Sequence, residues 1–285
     1  MKLGVSSYSF YSALRSGNMN ILDAIDWLKE HGGEHIEIVP IGFTLSDNSA
    51  LISDIVEKAK EAGIEISNYA VGANFVDKDE AQFNQEIEQL KMQVDIAHAL
   101  GVKRMRHDIA SREKENTSIE RFVKDLPIII KACREIADYA AQYGIITSIE
   151  NHGFHVQHAD RIRQIVHSVD RKNFRTTLDI GNFLCVDEDP LSAVKRTIPL
   201  ASMVHFKDFY IRPHTQFPGE GFFQTSAGNF LRGAIAGQGD LDISGIIQVL
   251  KSFGYDGYIS LEFEGMEDCL KAIEIGLNNI KRLWK

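Results

Sequence analysis

Eight short β-rich runs recur along the 285-residue chain, each followed by a longer segment of helical period. The runs are Leu3–Ser9, His35–Val39, Glu65–Val71, Arg104–Ile109, Ile146–Asn151, Arg175–Ile180, Ser202–Lys207 and Tyr258–Phe263. Between them, apolar residues fall three and four apart, as in Ile21, Leu22, Ala24, Ile25, Trp27 and Leu28, which is the spacing of one helix face. Glycines at 32–33, 63, 101, 144 and 254 mark helix ends, where the chain needs a left-handed residue. Strands alternating with helices require a parallel sheet with right-handed crossovers. Eight units of about 36 residues predict a (β/α)8 TIM barrel. An open doubly wound sheet would usually carry a Gly-rich phosphate turn after its first strand, and Ser6-Ser7-Tyr8-Ser9 is not one. No composition shift or Pro/Ser-rich linker interrupts the rhythm, so one domain over residues 1–285 is expected. The pattern breaks once, from Phe209 to Leu241, where no helical period is found. This predicts a long loop after strand seven, over the barrel mouth, serving as a lid or an oligomer arm.

Strands of a parallel barrel are buried, so a charge at a strand's C-terminal end is informative. The last four strands end Ser148-Ile149-Glu150, Thr177-Leu178-Asp179, Val204-His205 and Leu261-Glu262. Each group lies one barrel unit beyond its predecessor, and the four converge on one sector of the mouth. Buried carboxylates without compensation repel and cost several kcal/mol, so a cation should sit among them. An oxygen-rich set with one imidazole suits a single divalent ion, Mn2+, Co2+, Mg2+ or Zn2+, with open positions for substrate oxygens. Glu150, Asp179, His205 and Glu262 are therefore the expected metal ligands. Residues two further along point the same way in a strand, which adds His152 and Lys207 as substrate-binding candidates. Glu264 could exchange roles with Glu262, but Glu264-Gly265 already begins a turn. Earlier strands offer Glu37, Arg106 and His107; Glu37, between Ile36 and Ile38, needs a substrate or cationic partner to offset its burial.

Thirty-one basic residues against forty acidic ones leave a net charge of -9, which disfavours a nucleic-acid partner. Three widely spaced cysteines without a CxxC argue against a disulfide framework or a thiolate zinc site. No apolar run is long enough to span a membrane, and the opening MKLGVSSYSF lacks a signal-peptide core. A soluble cytoplasmic protein is expected. The aromatic residues of the long loop, Phe217, Phe222, Phe223 and Phe230, suggest packing on substrate or on a second copy, so a homo-oligomer is possible.

The segments Ser148-Ile149-Glu150-Asn151-His152, Leu178-Asp179-Ile180-Gly181-Asn182, Val204-His205-Phe206-Lys207-Asp208 and Gly254 to Glu262 resemble the xylose isomerase-like barrels. This superfamily of sugar isomerases and epimerases also contains dehydratases and the endonuclease IV type of repair enzyme. The resemblance runs over essentially the whole chain. It implies a small carbohydrate substrate and one divalent ion held by Glu150, Asp179, His205 and Glu262. It also implies isomerisation or epimerisation by proton transfer through a metal-bound enediolate, with Glu150 and Glu262 as the catalytic acid and base. Arg212 would correspond to an Arg found after the metal His. Two positions depart from the ketose 3-epimerases: Asn182 stands where they usually carry His, and Val156 where they usually carry Glu. The Glu150-x-His152 arrangement resembles the dehydroshikimate dehydratases and makes a lyase the first alternative. An endonuclease would need further His ligands, one of them at Asn182, and a non-catalytic barrel would have no need of an open metal site.

Overall fold

The computed structural model describes residues 1–285. Eight parallel strands close a barrel: β1 (Lys2–Ser6), β2 (His35–Ile38), β3 (Glu65–Val71), β4 (Arg104–His107), β5 (Ile146–Glu150), β6 (Phe174–Asp179), β7 (Ala201–Phe206) and β11 (Tyr258–Leu261). Closure occurs where β1 pairs with β11, Leu3 opposite Ile259 and Val5 opposite Leu261. Helices α1 (Tyr11–Arg15), α2 (Ile21–Glu30), α3 (Ser49–Ala62), α4 (Glu80–Ala99), α5 (Ile119–Ala141), α6 (Ala159–Val169), α7 (Pro190–Thr197), α8 (Ile243–Phe253) and α9 (Cys269–Trp284) fill the connections. The expected (β/α)8 barrel is the observed fold.

Local signals set the helix ends. Asn20 and Asp79 close capping boxes with Asp23 and Gln82 at the starts of α2 and α4, satisfying backbone N–H groups that have no helical partner. Gly63 and Gly254 stop α3 and α8 in the left-handed region, at φ 70° and 77°. The apolar helix faces pack on the barrel in one continuous buried cluster that includes Val5, Ile36, Met105, Ile149, Leu178 and Val204. No helix is long and apolar enough to cross a membrane.

The segment expected as a loop carries a small antiparallel sheet, β8 (Asp208–Arg212), β9 (Phe223–Gln224) and β10 (Phe230–Ala234), with β10 in the middle and irregular chain between the strands. Its strands have at most five residues, too few for a period-two pattern to stand out among the glycines and turns. Asp208 anchors its return to the barrel. Its carboxylate accepts from the backbone N–H groups of Phe209, Gly237, Gly239 and Leu241 at 2.8–3.3 Å.

Two register shifts interrupt the barrel ladder, one between Ile36 and Glu37 and one between Thr176 and Thr177. Such irregularities re-aim side chains next to functional sites. Here each lies within three residues of a buried carboxylate, Glu37 and Asp179.

Candidate metal centre at the barrel mouth

Glu150 and Asp179 end β5 and β6, His205 is the penultimate residue of β7, and Glu262 follows β11. The register sets Asp179 beside His205, and the Glu262 N–H continues the parallel pairing by donating to the Phe206 carbonyl at 3.0 Å. Four donor atoms, one from each side chain, lie within 4.8 Å of one another. All four residues are buried.

Each is oriented by neighbours. His205 Nε2 lies 2.8 Å from Glu37 Oε2, and Glu37 Oε1 accepts from Asn68 Nδ2 at 2.8 Å. This pairing leaves Nδ1 facing the centre, 3.7 Å from Glu150 Oε1 and 3.6 Å from Glu262 Oε1. A ligating imidazole is commonly set this way by a carboxylate on its other nitrogen. Arg106 Nε is 2.9 Å from Glu150 Oε2, and Lys207 Nζ is 2.9 Å from Glu262 Oε2. Asp179 Oδ1 accepts from the Gly181 and Asn182 N–H groups at 2.7 and 2.9 Å, while Asn151 brackets its backbone.

Two observations fit these residues to a divalent cation. Asp179 Oδ2 and His205 Nδ1 are buried without a hydrogen-bond partner, an arrangement that native proteins seldom tolerate. Four buried carboxylates, Glu37, Glu150, Asp179 and Glu262, also face only two fixed cations, the buried Lys207 and the largely buried Arg106, which leaves two negative charges. Burial pushes the Asp179 carboxyl up to about 7, with Glu150 and Glu262 adding to the rise and Lys207 opposing it. Burial would raise Glu150 too, but Arg106 and His205 outweigh it and hold that carboxyl well below its usual range. Burial works against a charged His205, yet Glu37, Glu262 and Glu150 raise its pKa well above the ordinary value. Without an ion, then, the site draws on protons for positive charge.

The structure does not gather every residue singled out above. Glu37, beside the register shift on β2, is fully buried with its carboxylate on His205 Nε2. Lys207 reaches Glu262, with Asp179 Oδ2 and Glu264 Oε1 at 3.6 and 3.5 Å. His152 lies on the rim, half-exposed, with Nδ1 3.7 Å from Asp108 Oδ1. Burial would lower its pKa, but the Asp108 carboxylate outweighs burial and raises it. Arg212 ends β8 and is held away by Asp240 Oδ2 at 3.3 Å and by its own neighbour's carbonyl. His107 is on the opposite side of β4 from Arg106, since adjacent strand residues alternate. Its ring lies against Phe75 and Phe174, with only Nδ1 bonded, to the Asp108 carbonyl at 3.0 Å. Neither Arg212 nor His107 reaches the cluster. Asp108 and Tyr8 carry no signal strong enough to pick them out in the sequence. Counting inward positions along the first four strands would have flagged Asn68.

Burial pushes the His107 pKa down to about 4. The unfolded chain, with an ordinary value near 6.5, therefore binds the proton first as pH falls. Stability supplied by neutral His107 is complete above pH ~6.5 and is lost toward pH ~4, to an extent of about 3 kcal/mol. Denaturant titrations at pH 7 and pH 5 are expected to show a smaller pH dependence for His107→Gln than for the parent. Equal pH dependence would contradict the assignment.

The sequence profile described as xylose isomerase-like TIM barrel matches residues 25–283. The chain belongs to this family. A curated relative, inosose dehydratase of Bacillus licheniformis, is 23% identical over 197 residues, 64% of this chain and 65% of that protein, so the match spans less than two thirds of the relative's length. Among solved structures, 3-keto-D-glucoside 4-epimerase YcjR from E. coli superposes with a TM-score of 0.74 at 18% identity, covering 99% of each chain. D-psicose 3-epimerase does so with a TM-score of 0.75 at 15% identity, covering 100% of this chain and 99% of its own. At these identities the structural likeness carries the fold. The proteins this chain is similar to thus include two epimerases and a dehydratase by name, and the buried Glu, Asp and His cluster of this chain could bind a metal.

Proposed function

We propose that the protein is a divalent-metal-dependent isomerase or epimerase of a keto-sugar or related polyol, moving a proton at a carbon next to a carbonyl. The observation that carries this reading is the convergence of three carboxylates and one imidazole, with Asp179 Oδ2 and His205 Nδ1 buried and lacking a hydrogen-bond partner. Glu150, Asp179, His205 and Glu262 would hold one Mn2+, Co2+, Mg2+ or Zn2+. When bound, such an ion supplies a Lewis acid for a sugar carbonyl.

The chain's own part is orientation and proton movement. Arg106 holds the outer oxygen of Glu150 and Lys207 that of Glu262, so each carboxylate keeps Oε1 toward the centre. A proton taken from the substrate by one of these carboxylates and returned by the other inverts the stereocentre. Its return to the adjacent carbon interchanges carbonyl and hydroxyl. General-base and general-acid groups must lie within hydrogen-bond reach of the proton they move, and Glu150 and Glu262, whose Oε1 atoms flank His205 Nδ1, are the pair this reading assigns to it. The Lys207 ammonium and the rim residue His152 offer hydrogen bonds to substrate hydroxyls. Arg212, paired with Asp240, and His107, packed on Phe75, are assigned no part in this reading.

A dehydratase is the second reading. The His152–Asp108 pair favours it, because an imidazole with a raised pKa on the rim can give a proton to a departing hydroxyl. The similarity to inosose dehydratase points the same way. Incubation of the metal-loaded protein in D2O with a panel of keto-sugars and cyclic polyols separates the two. An isomerase or epimerase places deuterium on the α-carbon with no loss of water, whereas a dehydratase yields an ultraviolet-absorbing enone. Neither product from any panel member would remove both readings.

A further inference from the structure

Beside the cluster, a cavity of about 630 Å3 lies between the segment after β1 and the segment after β11. Its floor is joined to the metal centre by Glu264. One carboxylate oxygen lies 3.5 Å from Lys207 Nζ, and the other accepts from the Tyr8 hydroxyl at 3.3 Å. Ser9 fixes this alignment: its hydroxyl donates to the Leu261 carbonyl at 3.1 Å and accepts from the Phe263 N–H at 2.9 Å. Tyr8 is thereby set beside the residues that follow β11. Burial and Glu264 push its phenol up to about 12, so it stays a neutral donor.

The outer wall is apolar and open. The Tyr8 and Tyr11 rings lie 6.0 Å apart, Tyr11 is 41% exposed and Met266 is 62% exposed. The arm after β8 comes up against Met266 at Gly221, where an added Cβ would fall 2.1 Å from its sulfur. Aromatic faces combined with a carboxylate acceptor suit a ring bearing hydroxyl groups, with apolar contact on the faces and hydrogen bonding at the edge. The charged groups lining the cavity, Glu264, Glu267 and Asp268, are acidic; Lys207 and Arg232 are engaged with Glu264 and Glu267, and Arg15 lies over the Tyr11 ring, so the lining itself favours a neutral ligand over a phosphate.

We propose that this cavity is a subsite for the second ring of a neutral glycoside. The substrate would then be a keto-sugar with a ring-sized substituent, rather than a free monosaccharide or a sugar phosphate. The inference rests on the carbohydrate function proposed above and specifies its substrate class.

Calorimetric titration of the Mg2+-supplied protein with methyl β-D-glucopyranoside, phenyl β-D-glucopyranoside, cellobiose and glucose 6-phosphate tests it. A two-ring ligand is expected to bind about 10-fold more tightly than the methyl glucoside. That ratio should fall toward one in Tyr11→Ala and in Met266→Ala, whose exposed positions leave the fold intact, as melting curves would verify. Equal affinities for one-ring and two-ring ligands, a ratio unmoved in both variants, or tightest binding of glucose 6-phosphate would overturn the proposal. Deuterium exchange on a single-ring ketose separates the two failures. Exchange without any ring preference sinks the subsite alone, whereas absence of both exchange and binding sinks the carbohydrate function with it.

Discussion

Protein purified without added metal is expected to carry about one divalent ion per chain, and Glu150→Gln is expected to carry almost none. The excess of two negative charges among buried groups, with Asp179 Oδ2 and His205 Nδ1 lacking partners, is the physical reason. Changing Glu150 to an amide halves that excess, removes one ligand and leaves Arg106 without its 2.9 Å carboxylate. Loss of an outer partner of a metal ligand typically costs 10–100-fold in affinity, so loss of a ligand itself should cost more than about 100-fold. Glu37→Gln is the graded control. It touches no ion but weakens the hold on His205 Nε2, and should fall within the 10–100-fold range. Elemental analysis and competition with a fluorescent chelator give both numbers without any assay of turnover. Because an ion bound only by the folded chain stabilises it by about 4 kcal/mol at 1,000 times its Kd, chelation should also lower the melting temperature of the parent and leave that of Glu150→Gln nearly unchanged. Equal metal content in parent and variant would mean that these four residues are not the site.

Gly4→Ala is expected to leave little folded protein. Gly4 lies in β1 between β2 and the closing strand β11, paired with Ser260. A Cβ there would stand 2.0 Å from the His35 carbonyl oxygen and 2.6–2.7 Å from two atoms of its ring. The ring has no room to retreat, since Nε2 lies 3.0 Å from the Ile259 carbonyl and the ring packs edge-on to Tyr258. Overpacking in a core typically costs 1–3 kcal/mol; here the obstacle includes backbone fixed by ladders on both sides, so about 4 kcal/mol or more is expected, a large share of a domain's stability. Denaturant titration measures it. Adding His35→Ala should rescue only partly, because the nearest atom is a carbonyl oxygen that the second substitution leaves in place. A denaturation midpoint equal to the parent's in Gly4→Ala would refute the account.

The barrel and the four-residue cluster could be read from the chain alone because both depend on local, periodic information. Strand runs, helical period and glycine stops repeat eight times, and parallel strands of similar length place their ends together. Each of Glu150, Asp179, His205 and Glu262 could therefore be placed at the mouth by counting along its own strand. Period two cannot choose between neighbours, however. Arg106 and His107 are adjacent in β4, and only the assembled barrel turns Arg106 to Glu150 and His107 to Phe75. Register shifts are equally silent in sequence, because they arise from how two strands meet. Glu37, for which the sequence required a substrate or cationic partner, lies beside such a shift with His205 Nε2 at 2.8 Å. The segment from Phe209 to Leu241 was legible as a break in rhythm but not as a sheet, since its short strands are held by pairing with one another and by the Asp208 anchor. Tyr8 meets Glu264 across 256 positions of sequence, through the closure of β1 on β11. Patterns within one element are written in the sequence; contacts between elements are decided by which surfaces fit when the barrel closes.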